Sequence, residues 1–257
     1  FIVYLCSGTV REGQLADHLD SASPFFASTD AADLIDVLLV DIEEPLEGST
    51  LEDTEGLSSR RVVEGLKRLV SHRHCLGVLC TPPCRTFSCA RLAGGIGLRP
   101  RCRDILRRYG IPGPLGLLPT EVVTDNGIVN NCIEICKVSL ANGGFCLWEN
   151  PAWRGDGSAY PLSGREAHCS LWQYPPAEAF FEATQSSFTT FDQCMTGKES
   201  QKKTTLASSP NIGSFVSLRF APLQCNHDSH ADDVLLGRKE DGTYRTAGAE
   251  SFSTHMN

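Results

Sequence analysis

The chain has 257 residues, of which 41% are hydrophobic and 21% charged, and its formal net charge is −8. This length and composition are typical of one large α/β domain with a small appended region. No apolar run approaches the roughly 20 residues that span a bilayer, so we predict no membrane segment and no membrane partner.

Charge is distributed unevenly along the chain. Residues 12–55 contain many carboxylates and no Lys or Arg, whereas residues 85–108 contain seven arginines against the single acid Asp104. The negative total argues against a nucleic-acid partner, but local charge governs contact with a ligand more than the total does. The arginine-rich segment is therefore a candidate nucleic-acid surface, and its alternative interpretation is a solvated basic face.

The twelve cysteines show no regular spacing. In a small secreted protein they would indicate disulfides, but scattered over a large α/β pattern they favour reduced thiols. We therefore expect an intracellular protein, in the nucleus or the cytoplasm. The chain begins with Phe1 inside a strand-like run, so we expect it to be a piece of a longer protein.

The first part of the chain alternates predicted strands with predicted helices. Short apolar runs typical of buried strands occupy residues 1–5, 37–40, 75–80 and 145–148. Apolar residues recur at helical spacing over residues 58–70 and 122–141, and the second of these helices should end at Asn142-Gly143-Gly144. This alternation predicts a mostly parallel sheet with helices on both faces, in a Rossmann-like domain over residues 1–165.

After about residue 165 the periodicity weakens. Residues 188–191 and 203–206 have the composition of two strands, separated by a polar turn at 197–201. We therefore predict a small, irregular region over 166–257 that helps to recognise the target and contains a strand hairpin returning to the sheet.

Three predicted strand ends carry polar or reactive residues. They are Cys6-Ser7-Gly8, Pro82-Pro83-Cys84 and Glu149-Asn150-Pro151. The carboxyl ends of parallel strands meet along one edge of the sheet, where ligands bind. A thiol and a carboxylate beside a cofactor cleft suit covalent catalysis with an acid partner.

Two of these segments carry a family resemblance. Pro82-Pro83-Cys84-Arg85-Thr86-Phe87-Ser88-Cys89-Ala90 resembles the PPCxxFSxA catalytic loop of cytosine-C5 methyltransferases, and Trp148-Glu149-Asn150-Pro151 resembles their Glu-Asn-Val motif, with Pro in place of Val. Further likeness to divergent members from phages, mobile elements and some protists lies in Leu171-Trp172, residues 192–197, Lys203-Thr204 and Cys225-x-His227-x-x-His230. The resemblance covers most of the chain.

This resemblance implies a Rossmann-like methyltransferase fold that uses S-adenosylmethionine to methylate C5 of cytosine in DNA. The Cys84 thiolate would add to C6 of the base while Glu149 protonates or hydrogen-bonds N3. The activated C5 would then attack the methyl group, and loss of the C5 proton with expulsion of Cys84 would restore aromaticity. The base would have to be flipped out of a duplex. Arg85, which follows the nucleophile, is a third catalytic candidate facing a phosphate or the cytosine carbonyl.

The resemblance also implies residues that bind the cofactor, and the nucleic-acid candidates come from the motifs and from the arginine-rich segment that follows the catalytic loop. Asp41 would bind the ribose hydroxyls and Ile42 would pack on adenine. The other cofactor candidates are Cys6, Ser7, Gly8 and Pro82, although Thr9-Val10-Arg11-Glu12 interrupts the compact FxGxG of the family. The nucleic-acid candidates are Ser88, Arg91, Arg99, Arg101, Arg103, Gln193 and Lys203. Gln193 is the nearest match in position to a QxRxR motif that this chain lacks.

The C-terminal region contains residues of the types that bind zinc. Cys225, His227 and His230, with Cys194, have the chemistry of a tetrahedral site, but their spacing is not that of a standard zinc finger. We predict no metal and keep zinc as the alternative.

Other functions also stay open at this level. The chain could be an inactive relative that binds nucleic acid within a mobile-element polyprotein. It could be a methyltransferase acting on RNA cytosine or on a different acceptor, since a fold does not fix the substrate. The C-terminal part could also be a zinc-stabilised interaction module.

Overall fold

A computed structural model describes residues 1–6, 37–40, 56–92, 102–197, 202–228 and 230. The strands are β1 (Ile2–Leu5), β2 (Val37–Val40), β3 (Gly77–Cys80), β4 (Phe145–Pro151), β5 (Ser187–Asp192) and β6 (Lys203–Ser208). They form one six-stranded sheet in the order β2-β1-β3-β4-β6-β5. Strands β1 to β4 are parallel to one another, and β6 is antiparallel to both β4 and β5. The predicted α/β class is confirmed.

The α-helices of the described residues are α1 (Arg60–Val70), α2 (Thr120–Ala141), α3 (Pro175–Ala183) and α4 (Pro210–Phe220). Helix α2 ends just before Gly143, whose φ of 82° is a conformation that glycine adopts without strain. Both helices predicted in the first part of the chain are confirmed as α1 and α2, with ends shifted by up to two residues. None of the four is both long and apolar enough to cross a bilayer.

Each face of the sheet is packed against helices. Trp148 and Ala207 belong to the main core, which α1, α2 and α3 complete. Side chains alternate between the faces of a sheet along a strand, so the preceding Leu147 and Leu206 lie on the opposite face. There they pack with Val216 of α4 in a second, smaller core. Helices therefore lie against both faces.

The region after residue 165 is more regular than predicted, and "irregular" was wrong for its described part. The two expected strands are present as β5 and β6, and they enter the sheet beside β4. Helices α3 and α4 were not predicted. Each begins at proline, which is favourable at the first helical position but interrupts a sequence pattern. The division at residue 165 stays a prediction, and strands from both sides of it share one sheet.

Candidate active site

Cys84 and Glu149 lie at the carboxyl ends of two adjacent parallel strands. Strand β3 pairs with β4 so that Cys80 is opposite Trp148. Glu149 is the next residue of β4, and Cys84 lies in the loop that follows β3. Glu149 was expected to follow its strand, but it lies within it because β6 extends the pairing of β4 to Pro151. The register brings both chain segments to one edge of the sheet.

A buried hydrogen bond joins these two segments. The Asn150 side chain donates from Nδ2 to the carbonyl oxygen of Pro82 at 2.9 Å. Thr81 adds a bond on the other side, from its hydroxyl to the carbonyl oxygen of Cys6 at 2.8 Å. The Cys84 loop, defined here as residues 81–88, is thus fastened to both strands that neighbour β3.

The far side of the Cys84 loop is held by a buried carboxylate on α2. Thr86 donates its hydroxyl to Asp125 Oδ2 at 2.7 Å, and Arg85 contacts Oδ1 through Nε at 3.0 Å and Nη2 at 2.9 Å. Asp125 is fully buried. Asp125 was not among the predicted site residues, although an acid on the core-facing side of a helix, three residues before Ile128, was a usable signal. The catalytic role of Arg85 stays a prediction, and the contact observed is with Asp125.

Arg103 lies inside the protein, which corrects its assignment to an exposed basic surface. It is 3% exposed. Its Nη2 donates to Thr86 Oγ1 and to Asn126 Oδ1, each at 3.0 Å, and its guanidinium carbon lies 3.8 Å from the centroid of the Phe87 ring. A guanidinium engaged in this way supports the Cys84 loop from within and is not available to a phosphate.

His168 connects the Cys84 loop to the chain that follows β4. Its Nε2 lies 2.7 Å from the carbonyl oxygen of Phe87, and its Nδ1 accepts a hydrogen bond from the Arg154 backbone N–H at 3.0 Å. This pair of contacts requires a neutral ring with the proton on Nε2. Burial lowers the pKa of His168 from 6.5 to about 4. No motif in the sequence singled out this residue.

The free energy of unfolding should fall as the pH is lowered from 6.5 towards about 4, because the unfolded imidazole binds a proton in this range and the folded one does not. Above 6.5 both states are neutral and the penalty vanishes. The difference between the unfolded and folded pKa values of His168 corresponds to about 3 kcal/mol in the free energy of unfolding. Urea unfolding across this pH range measures it. His168→Gln should flatten the dependence, and the exposed His72→Gln should preserve it. An equally steep dependence in His168→Gln would contradict the assignment.

Glu149 is a buried carboxyl group with a cation beside it. It is 8% exposed, and the Nζ of Lys202 lies 3.7 Å from its Oε1. Burial raises the pKa of Glu149, and Lys202 opposes part of that effect. Within the described chain Oε1 has no hydrogen-bond partner. A carboxyl group in this environment keeps its proton to a higher pH than an exposed glutamate does.

The hairpin supplies Lys202 to this site, whereas Lys203 was the lysine predicted to bind nucleic acid. Lys203 donates to Asp192 at 2.8 Å and lies over the Tyr160 ring. Nucleic-acid binding by Lys203 stays a prediction, and the contact observed for its ammonium group is with Asp192. Gln193 is buried, and neither polar atom of its side chain has a partner in the part of the chain that is described. Its backbone N–H bonds the carbonyl oxygen of Lys202 at 3.0 Å.

Two of the residues expected to bind the cofactor can be placed. Cys6 and Pro82 are both buried, and the backbone N–H of Cys6 donates to Val40 at 2.7 Å. Ser88 is half-buried, and its hydroxyl accepts from the backbone of Ala90. The predicted site residues that lie outside the described part of the chain are Ser7, Gly8, Asp41, Ile42, Arg99, Arg101 and the side chain of Arg91.

A groove of about 550 Å³ lies elsewhere, between the hairpin and α3. Its aromatic lining comes from Trp153, Tyr160, Trp172, Phe181 and Phe188. Neither Cys84 nor Glu149 lines it, so it is distinct from the edge where those two segments meet.

A second group of reactive side chains lies beyond the hairpin. The ligand atoms of Cys194, Cys225, His227 and His230 are all within 4.8 Å of one another. These four residues are those that sequence analysis named while predicting no metal. Two thiols and two imidazoles that converge in this way are suitable ligands for a zinc ion.

Comparison with known proteins gives no family assignment. No family model, curated protein or solved structure matches the chain. Function is therefore inferred from the motifs and from the geometry of the site.

Proposed function

We propose that the protein transfers a methyl group from S-adenosylmethionine to C5 of cytosine in DNA, with Cys84 as the nucleophile and Glu149 as the acid. The hydrogen bond from Asn150 to Pro82 carries this proposal. It couples the strand end that bears the carboxyl group to the loop that bears the thiol, which is the arrangement that the two motifs require.

The sheet order supports a Rossmann-like methyltransferase fold. Strand β1 lies between β2 and β3 in the sheet. The chain therefore runs from β1 to β2 on one side of β1 and then crosses to β3 on the opposite side of β1. Such a reversal creates a crevice at the carboxyl ends of the two diverging strands, and open α/β sheets bind their ligands there. Cys6 and Pro82 lie at this crevice, between β1 and β3. S-adenosylmethionine bound at this crevice would supply an electrophilic methyl group.

The residues of the chain would act in sequence on a flipped cytosine. The sulfur of Cys84 forms a bond to C6 while the proton of Glu149 moves towards N3, so the ring accepts the electron pair and C5 becomes nucleophilic. The Glu149 carboxylate that develops is stabilised by the nearby Lys202 ammonium. After methylation, a water molecule takes the C5 proton, the Cys84 sulfur departs and the N3 proton returns to Glu149, which restores the aromatic ring and the starting acid.

The raised pKa of Glu149 favours this role. A general acid must hold its proton near the working pH, and burial of the carboxyl group moves its pKa in that direction. An exposed glutamate would be ionised near neutral pH and would have no proton to share.

Trapping on a suicide substrate tests the proposal. The protein is incubated with labelled S-adenosylmethionine and a duplex DNA oligonucleotide that contains 5-fluorocytosine, whose fluorine prevents elimination. We expect a covalent adduct, and peptide mass spectrometry should locate it at Cys84. Adducts on an RNA oligonucleotide alone would change the acceptor to RNA cytosine. Retention of oligonucleotide without an adduct would indicate an inactive binding protein and would overturn the proposal.

A further inference from the structure

We propose that Cys194, Cys225, His227 and His230 bind one zinc ion, which fastens the chain after α4 to the turn that follows β5. This site is separate from Cys84 and Glu149 and does not depend on the methyl-transfer proposal. It replaces the sequence-based expectation of no metal.

The spacing of the donor atoms fits tetrahedral zinc. Cys225 Sγ lies 3.5 Å from His227 Nδ1 and 3.4 Å from His230 Nε2. Zinc bonds thiolate sulfur at about 2.3 Å and imidazole nitrogen at about 2.0–2.1 Å, which separates two tetrahedral ligands by about 3.5 Å. The four ligand atoms lie within 4.8 Å of one another. A set of two thiolates and two imidazoles is one that favours zinc.

The ligands come from two segments that other contacts hold together. Cys194 belongs to the short 3₁₀ turn Gln193–Thr196, whereas the remaining three follow α4. Asp192 accepts a hydrogen bond from the backbone N–H of Cys225 at 2.9 Å, and its own backbone N–H donates to Leu223 at 2.9 Å. Gln224 bonds Thr190 at 2.8 Å. The scaffold thus presents the donors together, and the metal would complete a site that is already assembled.

The position of the site indicates a structural role. Cys194 directly follows Gln193, whose backbone N–H donates to the carbonyl oxygen of Lys202, so the site adjoins the turn that follows β5. Four protein ligands close the coordination sphere of zinc and leave no position for a substrate, as in structural sites. Zinc would therefore stabilise the hairpin turn and the segment after α4 against local opening.

Metal analysis of the purified protein tests this inference. We expect one zinc ion per chain after purification without chelators. Cobalt substitution should give the visible absorption of a tetrahedral centre with thiolate ligands. Cys225→Ser and His227→Ala should each lower zinc occupancy about 10-fold or more. His227 is exposed and Cys225 is partly exposed, so these variants should keep the fold, which circular dichroism checks.

Matched controls and an independent readout accompany these variants. Cys75→Ser and His74→Ala, in the turn before β3, should retain full zinc occupancy. Removal of zinc by a chelator should increase amide exchange in residues 190–196 and 221–228, and added zinc should reverse it. The inference is overturned if the zinc-supplemented wild type holds no metal, or if His227→Ala retains it. A disulfide between Cys194 and Cys225, seen by mass spectrometry and thiol titration, would also overturn it.

Discussion

Cys84→Ser should abolish both methyl transfer and covalent trapping, with a fall in rate of about 10⁴-fold or more. Cytosine C5 is too weak a nucleophile to take the methyl group unless sulfur first adds to C6. A serine hydroxyl at the same position ionises far less readily than a thiol and adds poorly to the ring. Methyl incorporation from labelled S-adenosylmethionine measures the rate, and denaturing electrophoresis measures the adduct.

Cys89→Ser is the matched control for this variant. Cys89 lies in the same stretch of chain, is half-buried like Cys84 and has no role in the proposed reaction. It should retain activity close to that of the wild type. Should Cys84→Ser continue to form the adduct, or Cys89→Ser lose it, Cys84 would no longer be the nucleophile. Oligonucleotide affinity should change little in either variant, because neither substitution removes a charged contact.

Glu149→Gln should lower turnover by about 10² to 10⁴-fold while leaving the fold intact. The amide fills the same buried volume and can donate a hydrogen bond to N3, but it cannot transfer a proton. The loss should appear in kcat, since the proton moves only as the ring accepts electrons. Single-turnover methylation measures this step directly.

The pH dependence of the same variant provides a second check. The reaction requires protonated Glu149, so the wild-type rate should decline as the pH rises through the pKa of this group. Burial raises that pKa, and the decline should therefore begin at a higher pH than an exposed glutamate would give. Glu149→Gln should lack this decline. Glu134→Gln, which removes a partly exposed carboxyl group on α2, should retain both rate and profile. Wild-type turnover in Glu149→Gln would remove Glu149 from the mechanism.

The buried hydrogen bonds that hold the Cys84 loop are the physical basis of these predictions. Asn150 holds its beginning, Asp125 and Arg103 hold Thr86, and His168 holds Phe87. A reacting group must be fixed to within a fraction of an ångström for efficient covalent catalysis. The loop is held by buried hydrogen bonds on several sides, and such bonds restrain it far better than exposed ones.

Local sequence pattern determined most of the secondary structure of the parallel part of the sheet. Strand β2 was predicted with its observed ends, and α2 to within two residues, because apolar periodicity is a local property of the chain. Helices α3 and α4 were missed, since their burial depends on contacts with the sheet more than on a long repeat of their own. The motifs around Cys84 and Glu149 were also visible locally, as reactive residues beside apolar runs.

The tertiary structure alone decided which side chains reach the Cys84 loop and which cluster beyond the hairpin. Arg103 belonged to a basic segment by sequence, but it points inward because Thr86 and Asn126 offer it acceptors beside the Phe87 ring. Lys202 and Lys203 are adjacent in sequence, yet Lys202 lies beside Glu149 whereas Lys203 pairs with Asp192. The spacing of the Cys and His residues along the chain did not predict a metal site. In the folded protein, the hydrogen bonds of Asp192 hold Cys225 close to Cys194. Periodicity is set by neighbours in the chain, whereas such convergence is set by long-range pairing, which no window of sequence contains.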